Sequence, residues 1–117
     1  MTIAHVLAVV PVSDIGTSVA WYERLFGRAP TNRPMPNLAE WRLTDTGWVQ
    51  VFEDADRAGR SFLNLAVDDL EGHLHDLQEQ GLTGGTIQDA TNGVRTASID
   101  DPDGNTVNFI GGFRIDY

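Results

Sequence analysis

The chain repeats itself, and that limits its fold more than any other feature. Val12 to Gly27, reading VSDIGTSVAWYERLFG, has a counterpart in Val67 to Gly81, VDDLEGHLHDLQEQG. Each places a Val, an Asp two residues on, an aliphatic residue, then a helical pattern closed by Gly, at an offset of 55 residues. Further on, Val49-Gln50-Val51-Phe52 lies over Val107-Asn108-Phe109-Ile110 at an offset of 58. Chance similarity between short apolar segments would not preserve order and spacing together, so two copies of one unit are expected, about residues 3–54 and 61–113, sharing a single domain.

Each copy can be read element by element. Ile3 to Val10 is an apolar run rich in β-branched residues, which predicts a strand buried on both faces. Ser13 or Asp14 offers an N-cap, Val19, Tyr22 and Phe26 recur at helical spacing, and Gly27 suits the position after the last turn. Pro30, Pro34 and Pro36 then favour a loop or a short edge strand. AEWRLTD and WVQVFED alternate around DTG, predicting a hairpin. The second copy predicts a strand at Phe62–Val67, a helix at Asp69–Gln80 with Leu70, Leu74 and Leu77 on one face, and a weak strand at 86–88. A second hairpin follows, Val94–Ile99 with Asn105–Ile110, and Asp101-Pro102-Asp103-Gly104 between its arms has the residues of a type I turn.

Composition excludes several functions. Eight Arg, with no Lys, against 17 Asp and Glu leave a net charge of -9, which repels phosphate backbones and argues against a nucleic-acid partner. That acidity serves solubility or attracts a cationic small molecule. Cysteine is absent, so there is neither a disulfide nor a thiolate metal site. The first apolar run is too short to span a membrane and lacks a basic leader, so no membrane association and a cytoplasmic location are expected.

The doubled strand–helix–three-strand unit, the V.D before each helix, WYERLFG at the end of the first and DPDGN before the last strand resemble the vicinal oxygen chelate superfamily. That superfamily includes glyoxalase I, bleomycin-resistance proteins, fosfomycin-modifying enzymes and extradiol dioxygenases. The resemblance runs from Ile3 to about Phe113. It implies an α+β fold of two βαβββ modules, a mixed sheet curled around a cavity with helices outside, and a homodimer. Fold and chemistry are separable here.

In the superfamily's enzymes a divalent metal is held by one side chain from the first and last strand of each module. Carried onto this sequence, those seats fall on Leu7, Gln50, Phe62 and Asn108. Leu and Phe cannot ligate, and two neutral amides do not make a site for a hard cation or for Zn or Ni. The expectation is therefore no metal and no cofactor. Gln50 and Asn108 then either face the cavity, where water or ligand satisfies them, or bond to each other or to neighbouring backbone.

Strand parity sets Trp48, Phe52 and Phe62 on the presumed inner face, with Asn64 beside Phe62 and Trp41 from the next strand. Trp41, Trp48, Gln50, Phe52, Phe62, Asn64 and Asn108 are thus the expected ligand-binding set, flat apolar walls with a few amides. At least one of Trp41 and Trp48 is expected in the core, and Trp21 at an edge or a dimer contact. His5 shares the parity of Leu7 and is the one acid–base candidate. His73 and His75 are expected in solvent, and Arg57 and Arg60 to balance Glu53, Asp54 and Asp56.

These readings favour a metal-independent binding protein of the bleomycin-resistance type, holding a planar or cationic small molecule. The alternative is a metal-dependent glyoxalase-type lyase or isomerase, with Glu40, Glu53 and His5 as ligands. A third possibility is a fold that serves a partner interaction, its cavity filled. Whether there is turnover stays open.

Overall fold

Asp14 starts the first helix: its backbone is extended, and its carboxylate accepts from the Gly16 N–H and the Thr17 hydroxyl, both at 3.1 Å. The computed structural model, which describes residues 1–113, contains ten elements. The first module is β1 (Val6–Val12), α1 (Ile15–Phe26), β2 (Asn32–Met35), β3 (Leu38–Arg42) and β4 (Gly47–Glu53). The second is β5 (Phe62–Val67), α2 (Leu70–Glu79), β6 (Gln88–Asp89), β7 (Arg95–Asp100) and β8 (Thr106–Gly111). The fold is α+β, built from two βαβββ modules.

Each module forms a four-stranded mixed sheet, in order β1-β4-β3-β2 and β5-β8-β7-β6. The first pair of each is parallel, because the helix carries the chain back over the sheet before β4 or β8 docks. Gly27 ends α1 in the left-handed region at φ 71°. In the proline-rich stretch, the edge-strand expectation is met by β2, and both expected hairpins form.

One face of each sheet packs beneath its helix. Val10, Val12, Ala39, Trp41, Val49 and Val51 meet Trp21, Tyr22 and Leu25 in the first module. Leu63, Ala97, Ile99, Val107 and Phe109 meet Leu70 and Leu77 in the second. The first strand departs from expectation. It begins at Val6, not Ile3, and is buried on one face only: Val10 and Val12 are sealed, whereas Leu7 and Val9 are 50% and 52% exposed. The reason is topological, since β1 borders its sheet and α1 covers a single side. Trp21 likewise is not at an edge but buried, edge-on to Tyr22 at 4.8 Å.

The DPDGN turn joins the modules. Asp101, 5% exposed, accepts four hydrogen bonds: from the Asp103 and Asn105 backbone N–H groups at 2.9 Å, and from the Tyr22 hydroxyl and the Asn105 amide at 2.8 Å. Tyr22 belongs to α1, so the bond crosses between modules. Asn105 also donates to the Pro11 carbonyl at 2.8 Å and accepts from the Ser61 N–H and hydroxyl at 3.0 Å. Asp103 caps the entry to α1 through Ser13 N–H and hydroxyl. Gly59 closes against the same turn at φ 87°, where a Cβ would stand 2.5 Å from the Asp103 carbonyl oxygen. Burial beside Asp101 raises the Tyr22 phenol far above its ordinary value, so it stays a donor at any pH the fold survives.

Candidate functional site

The faces turned away from the helices carry the expected site. On the first sheet Leu7, Val9, Trp48, Gln50, Phe52, Glu40 and Arg42 share that open face by strand parity. On the second sheet Phe62, Asn64, Thr106, Asn108 and Ser98 do so. Phe62 is 64% exposed and Leu7 and Val9 50% and 52%, so each sheet presents large apolar side chains on its open face.

The register equates positions across the repeat. Gln50 lies opposite Glu40, and Asn108 opposite Ser98. Gln50 donates to the Glu40 carboxylate at 2.5 Å, and Asn32 donates weakly to its other oxygen at 3.4 Å. In the second module the Ser98 hydroxyl donates to Asn108 at 2.8 Å, and Asn108 donates to Asn64 at 3.2 Å. Both amides therefore bond to side chains of their own sheet and, among the described residues, neither to each other nor to backbone. Glu40 and Ser98 escaped the sequence reading as amide partners, although pairing the two hairpins outward from their turns would have found them.

Trp41 does not join the expected set. It is fully buried on the helix-facing side, pairs with Val49, packs on Phe26 at 5.4 Å and Tyr22 at 6.2 Å, and donates to the Arg28 carbonyl at 3.0 Å. Alternation decides this: Glu40 and Arg42 point to the open face, so Trp41 between them points away. Trp48 stays on the open face, with Arg42 over its ring at 5.8 Å and His5 edge-on at 6.1 Å.

The donors at the four metal seats, Leu7, Gln50, Phe62 and Asn108, do not fit a divalent cation. Two are hydrocarbon, the Gln50 amide is held by Glu40, and the Asn108 oxygen by Ser98. Among the described residues no group of three or more His, Asp or Glu converges. Glu53 instead accepts from the Ile15 N–H at 3.0 Å at the start of α1, so it does not join His5 and Glu40.

A cavity of about 580 Å³ opens where the two modules part. Its walls are chiefly apolar, including Val6, Phe26, Leu63, Leu65 and Phe109, and of the expected set it takes Trp48 and Asn64. His73 lines it as well. This corrects the expectation of a solvated His73: its ring lies 4.7 Å from Phe109 and its Nε2 is buried. Its neighbour on the helix, His75, is exposed, 3.1 Å from Glu79. Arg57 pairs with Asp54 at 3.7 Å.

Burial lowers the His73 pKa, with Asp76 and Asp68 opposing. As pH falls through about 6.5 the unfolded chain takes up a proton that the native imidazole resists, so stability is full above that value and declines below it. Thermal unfolding should accordingly begin earlier at about pH 5.5 than at about pH 7.5, and His73→Gln should flatten that part of the profile. An unchanged profile in the variant would assign the dependence to other groups.

Residues 2–109 match the Glyoxalase/Bleomycin resistance protein/Dioxygenase superfamily. No curated protein matches the sequence. The structure is similar to a glyoxalase/bleomycin resistance protein from Catenulispora acidiphila, at 32% identity and TM-score 0.86 over 93% of this chain and 98% of that one. It is also similar to TnmS3, an antibiotic binding protein from Streptomyces sp. CB03234, at 25% identity and TM-score 0.77 over 95% and 98%. A lactoylglutathione lyase from Agrobacterium tumefaciens, at 17% identity and TM-score 0.76 over 96% of each chain, shares the fold. With doubled βαβββ modules and a family match spanning nearly its whole length, the chain belongs to the glyoxalase/bleomycin resistance/dioxygenase, or vicinal oxygen chelate, superfamily.

Proposed function

We propose that this protein binds a planar or cationic small molecule without a metal or other cofactor. The observation that carries the reading is the chemistry of the four seats: two hydrocarbon side chains and two amides already engaged in hydrogen bonds. Around them on the open face lie Val9, Trp48 and Phe52, while the cavity, of a volume that suits a small molecule, opens on the helix-facing side and touches the same face at Trp48 and Asn64. Trp48, Gln50, Asn64 and Asn108 share the open face by strand parity, so the ligand lies there, its flat apolar part against Trp48 and its polar part toward the three amides. Phe52 and Phe62 supply further apolar wall. A 25%-identical structure named as an antibiotic binding protein supports a binding role.

A second copy of the chain closes this site. Leu7, Val9 and Phe62 are half or more exposed, and a homodimer that covers them removes that surface from water. The two modules act as one domain, held together at the DPDGN turn. No helix among the described residues is long and apolar enough to cross a membrane. The location we propose is the cytoplasm.

The test is elemental analysis of the purified protein, followed by thermal shift with Ni, Zn or Mn and with flat aromatic compounds. Stabilisation by an aromatic compound in chelator is expected, because a ligand of the native state raises its stability. Stoichiometric metal, or stabilisation only when metal is added, overturns the reading. For the dimer, Phe62→Glu should shift the sedimentation coefficient from two chains toward one; a wild-type protein that sediments as a monomer would contradict it.

A further inference from the structure

Glu40 is a half-buried carboxylate on the open face with an amide on each oxygen, from Gln50 and Asn32. Among the described residues no Arg or His nitrogen lies within 4.0 Å of it. The nearest cation along the strand, Arg42, is engaged elsewhere: it donates to the Asp45 carbonyl at 2.7 and 3.2 Å and covers Trp48. A half-buried anion without a countercharge is costly, and the fold does not need one here. Ser98, at the equivalent place in the second module, meets the equivalent amide with a neutral hydroxyl. The charge at Glu40 is therefore surplus to the hydrogen bond it makes.

Its surroundings suit a cation. Directly across from Glu40 stands Gln50, so Trp48 and Phe52 are its diagonal neighbours, roughly 7–8 Å away along the sheet. An aromatic ring on either side of an unpaired carboxylate favours a positive group on an otherwise flat, apolar molecule. The net charge of -9 draws such a molecule in. Module two offers no such place: Thr106 and Ile110 stand where Trp48 and Phe52 do.

We propose that Glu40 is the counter-ion of the ligand, and that the ligand is a flat aromatic molecule bearing a protonated or quaternary nitrogen. This rests on the binding-protein reading above and narrows it from a planar or cationic ligand to one that is both, with the charge seated in the first module. Glu40 is then a specificity-determining residue and not a metal ligand.

The probes are 10-methylacridinium, a permanent cation, and acridine at mildly alkaline pH, where it is neutral. Both are titrated against the wild-type protein and Glu40→Gln by calorimetry and by Trp fluorescence. Expected is at least about tenfold tighter binding of the cation by wild type, lost in Glu40→Gln, with acridine affinity unchanged. The preference should also shrink as salt is raised. Equal affinities for the two probes in wild type, or a variant that weakens both alike, would overturn the counter-ion while leaving a binding protein. Failure of both probes to bind would overturn the binding reading and the counter-ion with it. The wild-type ratio stands as a test even if Glu40→Gln proves unstable.

Discussion

Asp101→Ala should lower the unfolding midpoint by about 10 °C or more, the largest effect of any single polar substitution in this chain. Four donors converge on that carboxylate, and all four lose their partner at a nearly sealed site. A hydrogen bond to a charged group contributes about 1.5–3 kcal/mol, and a buried donor left without a partner costs about 1–3 kcal/mol, so a loss of about 3 kcal/mol or more is expected even after relaxation. Tyr22→Phe removes just one of the bonds between modules, beside those of Ser13 with Asp103 and of Asn105 with Pro11, and should cost about 1–2 kcal/mol. The double variant isolates the coupling between the Tyr22 hydroxyl and the Asp101 carboxylate, which bond directly at 2.8 Å. Chemical denaturation followed by far-ultraviolet dichroism measures all three. A drop for Asp101→Ala no larger than for Tyr22→Phe would mean that the turn holds itself without the carboxylate.

Trp41→Ala and Trp48→Ala should part company sharply. Trp41 is fully buried among Tyr22, Phe26 and its own sheet, and its indole N–H is satisfied by Arg28. Removing it leaves a large void, with a cost of about 3–5 kcal/mol, enough to unfold a domain of ordinary stability. Trp48 is only partly buried and lies on the open face under Arg42. Its truncation should cost about 1 kcal/mol of stability, while affinity for 10-methylacridinium falls at least about tenfold. The same pair of urea titrations and binding curves decides both. If Trp48→Ala binds as wild type does, the site does not include Trp48.

Much of the fold was legible because short-range chemistry wrote it down twice. Asp14 and Asp69 each cap a helix by accepting from a backbone N–H within the first turn, and no distant residue is needed for that. The DPDGN turn has its proline and glycine where a type I turn wants them, and Gly104 donates back to the Asp101 carbonyl at 3.0 Å. The hairpins followed from alternation. Even the side-chain types at the four seats, two hydrocarbons and two amides, could be read in advance, since they depend on residue identity at repeat-related positions.

The site was less legible, and the misplacements share one cause. A strand's side chains alternate strictly, but which parity faces the helix is a tertiary matter. Trp41 and Trp48 look alike in sequence, and only the pairing of Trp41 with Val49, beneath α1, sends one to the core and the other to the open face. His73 and His75 differ by two positions on α2, which turns one toward Phe109 and the other toward Glu79. Glu40 became visible as an unpaired charge only when register set it opposite Gln50.

The amino-acid sequence by itself determined the doubled module, its caps, its turns and the side-chain types at the four seats, because each of those depends on groups a few residues apart or on side-chain identity alone. Tertiary structure alone decided that Asp101 ties the two modules together, that Trp41 is core, and that a cavity opens where the modules part. Those depend on groups far apart in the chain, Tyr22 and Asp101 by 79 positions and the cavity walls Val6 and Phe109 by more, whose meeting is set by how one sheet is laid beside the other.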